Sequence, residues 1–264
     1  MTMVMPVFQP GDDPGTDFPM LLQRAGYGPV DLPSGTTIDT PHATTCVAVR
    51  FDNGVVIAGD RRATSGHLIS HRTMEKVVQA DRHSGVAIAG AAGPAVDMIR
   101  LFQVQLEYYE KVQGSALSLE GKANQLASMV RANVPAAMQG MGVVPIFAGF
   151  DVRRSIGRLW AYDMLGGRYE EREHVATGSG SLHASTVMKV GYRSDLTRDD
   201  AVELVTRSLW EAADADSATG GPDMVRGIYP VVATIDSDGW SLVGDDELGD
   251  RYRTLIEQMG GSTS

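Results

Sequence analysis

The prolines of this chain are concentrated near its N-terminus, and they limit where regular structure can begin. Of 12 prolines in 264 residues, seven fall within the first 43, at positions 6, 10, 14, 19, 29, 33 and 41. Proline lacks a backbone donor and interrupts helices and central strands, while the glycines between these prolines raise the entropic cost of ordering the backbone. We therefore expect residues 1–43 to be a disordered tail, a removable leader, or both.

From Thr45 onward the sequence changes to the pattern of paired strands. TCVAVRF alternates and is joined through Asn-Gly to GVVIAGD, which predicts a hairpin. MEKVVQA and GVAIAG, separated by a polar turn, predict a second hairpin. Three more strand-like segments are VVPIFAGF, GRLWAYDM and RYEEREHVA, and IYPVVATI with WSLV predicts a last hairpin.

Helices are predicted between these groups of strands. The first two are indicated by apolar residues at helical spacing, namely Ile99, Phe102, Leu106 and Tyr109, then Leu119, Ala123, Leu126, Val130 and Val134. Two more are predicted over 182–192 and 197–215, the latter with Thr197 as a cap and Asp200 three residues later, and a last helix over 247–259. Antiparallel hairpins with paired helices predict an α+β domain, in which stacked sheets are covered by helices on their outer faces.

The charge balance and the cysteine content narrow the functional classes. The formal net charge is -10, which disfavours a nucleic acid or an anionic membrane as a partner. Cys46 is the one cysteine, so no internal disulfide is predicted and a reducing compartment is favoured. The N-terminus lacks the pattern of a signal peptide, and no apolar run approaches the roughly 18 residues of a membrane span. These features predict a soluble, cytoplasmic protein.

Two threonines, Thr44 and Thr45, open the organised part of the chain. A threonine hydroxyl is a poor nucleophile unless a base removes its proton, and a threonine at a chain start carries such a base in its own α-amino group, whose pKa is about 7.7–8.0. While the leader is attached, that nitrogen is an amide and cannot accept a proton. Cleavage between Ala43 and Thr44 would therefore create the catalyst.

Several segments, in order and with consistent spacing from Thr44, resemble a known family. TTCVAVRFDNGVVIAGDRRATSG is similar to the start of a mature proteasome β subunit, and the similarity continues through MEKV, IAGAAG, LEYYEKVQG, GSGS and DADSATGGPDMVRGIYP. It covers nearly all of residues 44–264 and is strongest for the bacterial, actinobacterial-type branch. The resemblance implies the N-terminal-nucleophile hydrolase fold, a four-layer αββα sandwich. It also implies a propeptide over residues 1–43, followed by one domain over residues 44–264 with threonine endopeptidase activity.

The same resemblance implies a role for each residue that matches a family motif. Thr44 is the nucleophile, with Asp60 and Lys76 as an ion pair beside it. The ammonium of Lys76 eases removal of the hydroxyl proton and stabilises developing negative charge. Gly90 presents its backbone N–H to the oxyanion of the tetrahedral intermediate.

Two further residues, Ser179 and Asp216, are implied to hold the terminal amine and a bound water. Thr219 stands where much of the wider family has serine, and its hydroxyl can make the same hydrogen bond. Taken singly, these segments have ordinary structural interpretations: an aspartate after a strand is usually a cap or turn residue, and a Gly-Ser segment is usually a loop. Their joint occurrence favours catalysis.

Specificity and processing are implied in the same way. Four apolar residues are expected to line a pocket beside the nucleophile, namely Ala63, Met74, Ile88 and Ala92, which predicts cleavage after hydrophobic residues. Many family members have glycine before the nucleophile, whereas this chain has Ala43. Because glycine most easily enters the strained turn that self-cleavage needs, Ala43 predicts slower processing.

The implied partners are those of a proteasome core. They are proteasome α subunits, further copies of this chain in a seven-membered ring, an ATP-dependent unfoldase ring that docks on the α ring, and tagged protein substrates. Confinement inside stacked rings would keep an exposed peptidase away from other cellular proteins. No cofactor is implied.

Three alternatives remain open. Cleavage two residues later would expose Cys46 as the nucleophile, although the spacings to Asp60, Lys76 and Gly90 match the family only when counted from Thr44. The chain could be a catalytically silent ring subunit, although such subunits usually lack the threonine, lysine or aspartate. It could also be the simpler bacterial two-ring peptidase of the same fold, which is typically shorter and lacks the long leader and the DADSATGGPD segment.

The six histidines predict no metal site. His67 and His71 are four residues apart, which would suit two ligands on one helix. Gly66 and Ser70 disfavour a helix there, so we predict no catalytic metal.

Overall fold

The computed structural model describes residue 20, residues 44–65 and residues 68–261. The chain divides into two units between Thr37 and Ile38, and the fold below is that of the second unit. Apart from Met20, the leader predicted over residues 1–43, with Ala43 at the cleavage site, lies outside the described residues.

Strands and helices occur in the order that the sequence pattern predicts, except for an additional short hairpin, an additional short helix and one predicted strand that forms two strands. They are β1 (Thr45–Phe51), β2 (Gly54–Gly59), β3 (Ala63–Ser65), β4 (Leu68–His71), β5 (Val77–Asp81), β6 (Ser84–Gly90), α1 (Ala92–Gln113), α2 (Leu119–Ala132), α3 (Val134–Ala137), β7 (Val143–Asp151), β8 (Ile156–Tyr162), β9 (Arg168–Glu171), β10 (His174–Gly178), α4 (Ser181–Gly191), α5 (Arg198–Ala215), β11 (Val231–Asp236), β12 (Gly239–Leu242) and α6 (Asp245–Gly261). The additional hairpin is β3 with β4.

The strands form two five-stranded antiparallel sheets. The first has the order β10-β1-β2-β11-β12 and the second the order β5-β6-β7-β8-β9. Apolar side chains of α4 and α5 pack on the first sheet, and those of α1 and α2 pack on the second. A third apolar cluster lies between the sheets. The fold class expected from the sequence, a four-layer αββα sandwich, is confirmed.

Strand β1 is buried on both faces, and this fixes the position of the residue before it. Cys46 and Ala48 face the second sheet, where they join a cluster with Ile146. Val47 and Val49 face the helices α4 and α5. These four side chains are fully buried, and burying an aliphatic side chain stabilises a fold by about 1.5–3 kcal/mol. The start of β1 is therefore firmly held.

The segment RYEEREHVA, predicted as one strand, forms two strands in different sheets. β9 pairs with β8, whereas β10 pairs with β1. The chain crosses between the sheets at Arg172 and Glu173, whose carbonyls accept hydrogen bonds from the side chain and backbone of Arg50 at 3.1 and 2.9 Å. The crossing depends on pairing with a strand distant in sequence, so the local pattern did not reveal it.

Two helix ends illustrate how well local signals worked. Helix α5 begins with the predicted capping box, in which Thr197 and Asp200 each accept a backbone N–H of the other. The predicted periodicity to Val134 was too long, because α2 ends at Ala132 and the separate short helix α3 begins at Val134, with Pro135 in its first turn. Among the described residues, no helix is long and apolar enough to cross a membrane.

Candidate active site

Polar residues from separate segments meet at one edge of the two stacked sheets. Thr44 immediately precedes β1 and Asp60 immediately follows β2, and the antiparallel register puts both at the same edge. Lys76 immediately precedes β5, and its carbonyl accepts the N–H of Ile88 near the end of β6 at 2.9 Å. Strand pairing, and not proximity in sequence, therefore assembles the site.

Asp60 and Lys76 form a fully buried ion pair. The Nζ of Lys76 lies 2.7 Å from Oδ1 of Asp60, and the two side chains are 2% and 0% exposed. Nζ also donates to the carbonyl of Arg62 at 2.5 Å, and the guanidinium of Arg62 donates to the carbonyl of Ser217 at 2.8 Å. We call Asp60, Lys76 and Arg62 the charged side of Thr44.

Backbone N–H groups complete the surroundings of the Asp60 carboxylate. Oδ1 accepts the N–H of Thr45 at 2.9 Å, and Oδ2 accepts those of Arg62 at 2.8 Å and Gly220 at 2.9 Å. A buried charge is stable only when its hydrogen-bonding capacity is satisfied, and here three backbone donors and one ammonium satisfy it. The contributions of Arg62 and Gly220 were not identified from the sequence.

A small cavity beside Thr44 collects every residue predicted for the specificity pocket. Its volume is about 20 Å³, and it is lined by Thr44, Ala63, Met74, Lys76, Ile88, Gly90, Ala92 and Ala95. That volume holds about one water molecule. Ala95, on α1, is the lining residue that the sequence did not predict. The four predicted pocket residues, the lysine and the oxyanion candidate thus share one space with the threonine.

Gly90 occupies a backbone conformation that requires glycine. Its φ is 116°, and a Cβ at this position would overlap the carbonyl of Gly142. The next residue, Ala91, donates its N–H to that same carbonyl at 2.8 Å. The chain therefore turns sharply from β6 into α1 directly at the wall of the cavity.

The carbonyl of Thr44 is held from the opposite side by the turn after β10. It accepts the N–H of Ser179 at 2.8 Å, and the hydroxyl of Ser179 lies 3.4 Å away. Gly178 permits this approach, because its φ is 100° and a Cβ there would overlap the Thr44 carbonyl. Gly178 is another site residue that the sequence signals only as part of GSGS.

Ser179 and Asp216, predicted to act together, are directly hydrogen-bonded. The Ser179 hydroxyl donates to Oδ2 of Asp216 at 2.5 Å, the Thr219 hydroxyl donates to the same oxygen at 2.6 Å, and the N–H of Ala218 donates to Oδ1 at 3.1 Å. Partial burial raises the pKa of the Asp216 carboxyl, but these three donors outweigh it and hold the pKa below its ordinary value. We call Ser179, Asp216 and Thr219 the hydroxyl side of Thr44.

Thr45 contacts the hydroxyl side, although no role was predicted for it from the sequence. Its side chain is fully buried. Its hydroxyl oxygen lies 2.6 Å from that of Thr219 and accepts the N–H of Gly180 at 3.0 Å. The signal in the sequence was the doubled threonine itself, whose second side chain must point away from the first along a strand.

Cys46 is poorly placed to act as a nucleophile. It is fully buried between the sheets, and its thiol lies 3.5 Å from the carbonyl of Ile88. Burial raises the pKa of this thiol to about 12, so the reactive thiolate is scarce at neutral pH. The alternative in which Cys46 is the nucleophile is therefore disfavoured by both access and ionisation.

Within the described segments, no group of three or more His, Cys, Asp or Glu side chains is arranged to hold a metal ion. Of the two histidines considered as a pair, His67 lies outside the described residues. His71 belongs to β4, so this part of the chain is a strand and not a helix.

A larger, open groove lies on the far side of Arg62 and Gly220. Its volume is about 510 Å³, and its lining includes Arg61, Trp210 and Tyr229. Neither the threonine nor the lysine of the small cavity reaches it. By size alone this groove would be the candidate active site. The buried charges and hydroxyl groups are concentrated around the small cavity, so we take the small cavity as the candidate active site.

Known proteins match this chain over most of its length. The family model described as "Proteasome subunit" matches residues 40–226. A proteasome subunit beta from Acidimicrobium ferrooxidans is 55% identical over 248 residues, which is 93% of this chain and 91% of that protein. Proteins of the same name from Streptomyces griseus and Frankia alni are 52% and 50% identical, covering 84% and 96% of this chain and 79% and 93% of their own lengths. The chain therefore belongs to the proteasome subunit family and is a β subunit of the proteasome core, a multi-subunit protease.

Proposed function

We propose that this subunit is a threonine endopeptidase whose nucleophile is Thr44, freed by cleavage of the Ala43–Thr44 bond. The observation that carries the proposal is the small cavity that Thr44 shares with Lys76 and Gly90. Acyl transfer uses a nucleophile, a positive charge and a donor to the oxyanion. The cavity brings together a hydroxyl, a buried ammonium and a glycine at a sharp turn, which could supply these three functions.

In the proposed reaction, the Oγ of Thr44 attacks the scissile carbonyl while the α-amine of the same residue takes the hydroxyl proton. The amine then gives that proton to the leaving nitrogen, the C–N bond breaks, and an ester links Thr44 to the acyl group. Water, deprotonated by the same amine, hydrolyses the ester and restores the free hydroxyl.

Lys76 acts in this scheme through its charge. Its ammonium is fixed by Asp60 at 2.7 Å and by the Arg62 carbonyl at 2.5 Å. A positive charge held in a water-poor cavity favours the alkoxide form of the hydroxyl and stabilises the negative charge of the tetrahedral intermediate. The N–H of Gly90 is proposed as the oxyanion donor.

Ser179 and Asp216 are proposed to hold the α-amine and the hydrolytic water. The Ser179 hydroxyl donates its proton to Asp216, so its oxygen keeps lone pairs for the amine. Because the pKa of Asp216 lies below its ordinary value, the carboxylate stays ionised and remains an acceptor throughout the neutral pH range.

Substrate preference is proposed to be hydrophobic, because the pocket walls Ala63, Met74, Ile88 and Ala92 carry no charge. Met74 is flexible enough to move as a side chain enters a space of about 20 Å³. Fluorogenic peptides ending in Tyr, Leu, Arg and Glu test this preference. We expect Tyr and Leu to exceed Arg and Glu by about ten-fold or more in kcat/KM, and a preference for Arg would contradict it.

The finer partners are also proposals. We propose seven copies of this chain per ring, outer rings of proteasome α subunits, an ATP-dependent unfoldase docked on the α ring, tagged substrates and a cytoplasmic location. Support comes from relatives at 50–55% identity named as proteasome β subunits. Those names also favour the proteasome over the simpler two-ring peptidase.

The test of the proposed function is the intact mass of this chain after co-expression of its full length with an α subunit. A mass that begins at Thr44, together with a single adduct of a peptide boronate on Thr44, supports processing and nucleophile together. An assembled core that is neither processed nor labelled would instead favour the catalytically silent subunit. A new terminus at Cys46 would overturn the assignment of Thr44.

A further inference from the structure

Thr45 bonds to both sides of Thr44. Its backbone N–H donates to Oδ1 of Asp60 at 2.9 Å on the charged side. Its hydroxyl reaches Thr219 on the hydroxyl side at 2.6 Å. Since Thr45 follows the proposed nucleophile directly, these two bonds fix the peptide unit that carries Thr44.

The direction of each hydrogen bond that the Thr45 and Thr219 hydroxyls make follows from the single proton that each hydroxyl carries. Thr219 has one hydroxyl proton, and a bond to the Asp216 carboxylate at 2.6 Å is charge-assisted and stronger than one to a neutral hydroxyl. Thr219 therefore donates to Asp216. The Thr45 hydroxyl must then donate to Thr219, and it accepts the N–H of Gly180 at 3.0 Å.

Every proton in the series thus points toward one carboxylate. The series of hydrogen bonds runs from the N–H of Gly180 through the hydroxyls of Thr45 and Thr219 to the carboxylate of Asp216. The same carboxylate accepts a hydrogen bond from the hydroxyl of Ser179. Hydrogen bonds aligned in one direction polarise and strengthen one another.

Burial makes the Thr45 hydroxyl difficult to replace. The side chains of Thr45 and Thr219 are both 0% exposed, so bulk water does not reach either hydroxyl. Gly180 also leaves room for the contact, because a Cβ there would lie 2.5 Å from the Thr45 hydroxyl oxygen and 2.8 Å from that of Thr219. A polar group left unpaired at this depth is unfavourable, and the fold can avoid that penalty only by shifting these segments.

We propose that Thr45 is a positioning residue. Its hydroxyl holds Thr44 in the correct position relative to Asp216 and Ser179. This inference rests on the proposed function, because it assigns Thr45 a part in aligning the nucleophile and the groups that hold its amine. The pocket residues Ala63, Met74 and Ile88 come from other strands and loops, so substrate binding does not depend on the Thr45 hydroxyl.

The test compares variants of the full chain co-expressed with an α subunit, with rates normalised to the number of boronate-reactive sites. We expect Thr45→Val, which keeps the shape and removes the hydroxyl, to lower kcat about ten-fold with KM within about two-fold. Thr45→Ser restores the hydroxyl and should recover most of kcat. The matched control is Thr206→Val, which removes a buried hydroxyl bonded only within α5, at 2.7 Å from the Val202 carbonyl, and should leave kcat unchanged.

A second variant guards against loss of folding or processing in the first. Thr219→Val breaks the same series one bond further on, from a residue far away in sequence, and should reproduce the loss of kcat. If Thr45, Thr219 and Asp216 act as a unit, the Thr45→Val/Thr219→Val double variant should be no slower than about the slower single variant. Assembled Thr45→Val particles that stay unprocessed, while Thr45→Ser is processed, count as the same loss of nucleophile reactivity.

Three results would overturn the inference: wild-type kcat in Thr45→Val, a Thr45→Ser variant as slow as Thr45→Val, or single losses that multiply in the double variant. Any of these with a boronate adduct on Thr44 in the wild type leaves the proposed function intact. Absence of that adduct in the wild type would instead contradict the proposed function itself.

Discussion

The charged side and the hydroxyl side of Thr44 are built differently. On the charged side, the side chains of Asp60 and Lys76 are 0% and 2% exposed. Three backbone N–H groups donate hydrogen bonds to the Asp60 carboxylate. On the hydroxyl side, Asp216 is half-buried and Ser179 is exposed, and side-chain hydroxyls make most of the bonds.

We relate the difference to buried charge on the charged side and access to solvent on the hydroxyl side. Two buried charges are stable only in fixed geometry with all partners present, so main-chain groups hold them. Solvent reaches Ser179 and Asp216 on the hydroxyl side, and in the proposed mechanism an amine gains and loses protons there and water arrives. Hydroxyls suit that task because each can both donate and accept.

Replacing the proposed nucleophile Thr44 should have the largest effect. We expect Thr44→Ala to lower kcat by at least about 10³-fold, because no hydroxyl remains to form the ester. The measurement is hydrolysis of a fluorogenic peptide by assembled cores. Thr254→Ala, the same change at an exposed threonine of α6, is the control, and comparable rates in both variants would remove Thr44 from the mechanism.

Breaking the charged side should affect stability as well as rate. Lys76→Ala leaves the Asp60 charge buried without its cation, so we expect a loss of about 3–5 kcal/mol in the free energy of unfolding. The rate should fall about 10²-fold or more. The control is Lys111→Ala, which removes an exposed ion pair with Glu107 and should cost less than about 1 kcal/mol. Equal effects at the two lysines would show that burial of the pair is unimportant.

The hydroxyl side should show its effect in kcat and in the pH profile. Asp216→Asn removes the charged acceptor of Ser179, and we expect kcat to fall about ten-fold. The pKa of Asp216 lies below its ordinary value of 3.8. In the proposed mechanism we therefore expect the rate to fall on acidification through about pH 7.7–8.0, as the α-amine is protonated.

The acid limb of the rate profile should accordingly persist in Asp216→Asn. It should move to lower pH, because loss of a nearby negative charge makes the ammonium form less stable. Disappearance of the limb would assign it to Asp216 instead of the amine, and its movement to higher pH would contradict the expected effect of the Asp216 charge on the amine.

The smallest effect is expected from Thr219→Ser. Serine keeps the hydroxyl that donates to Asp216 at 2.6 Å and loses only a methyl group. We expect kcat within about three-fold of the wild type. A larger loss would show that packing of the Thr219 methyl group, and not its hydroxyl, holds the hydroxyl side.

Local signals in the sequence predicted much of the fold. The Asn-Gly hairpin of β1 and β2, the capping box of α5 and the paired helices α1 and α2 were confirmed, because each depends on residues only a few positions apart. The crossing of RYEEREHVA between sheets was missed, since it depends on long-range pairing of β10 with β1.

The sequence by itself determined the family, the fold class and the identities of the residues around Thr44, because those are carried by motifs in a fixed order. Only the tertiary structure decided how Asp60 is satisfied by Arg62 and Gly220, and how Thr45 bonds to Gly180 and Thr219. These bonds join residues up to 174 positions apart. Hydrogen-bond geometry is set by strand register and helix packing over the whole domain, and no local pattern of residues encodes it.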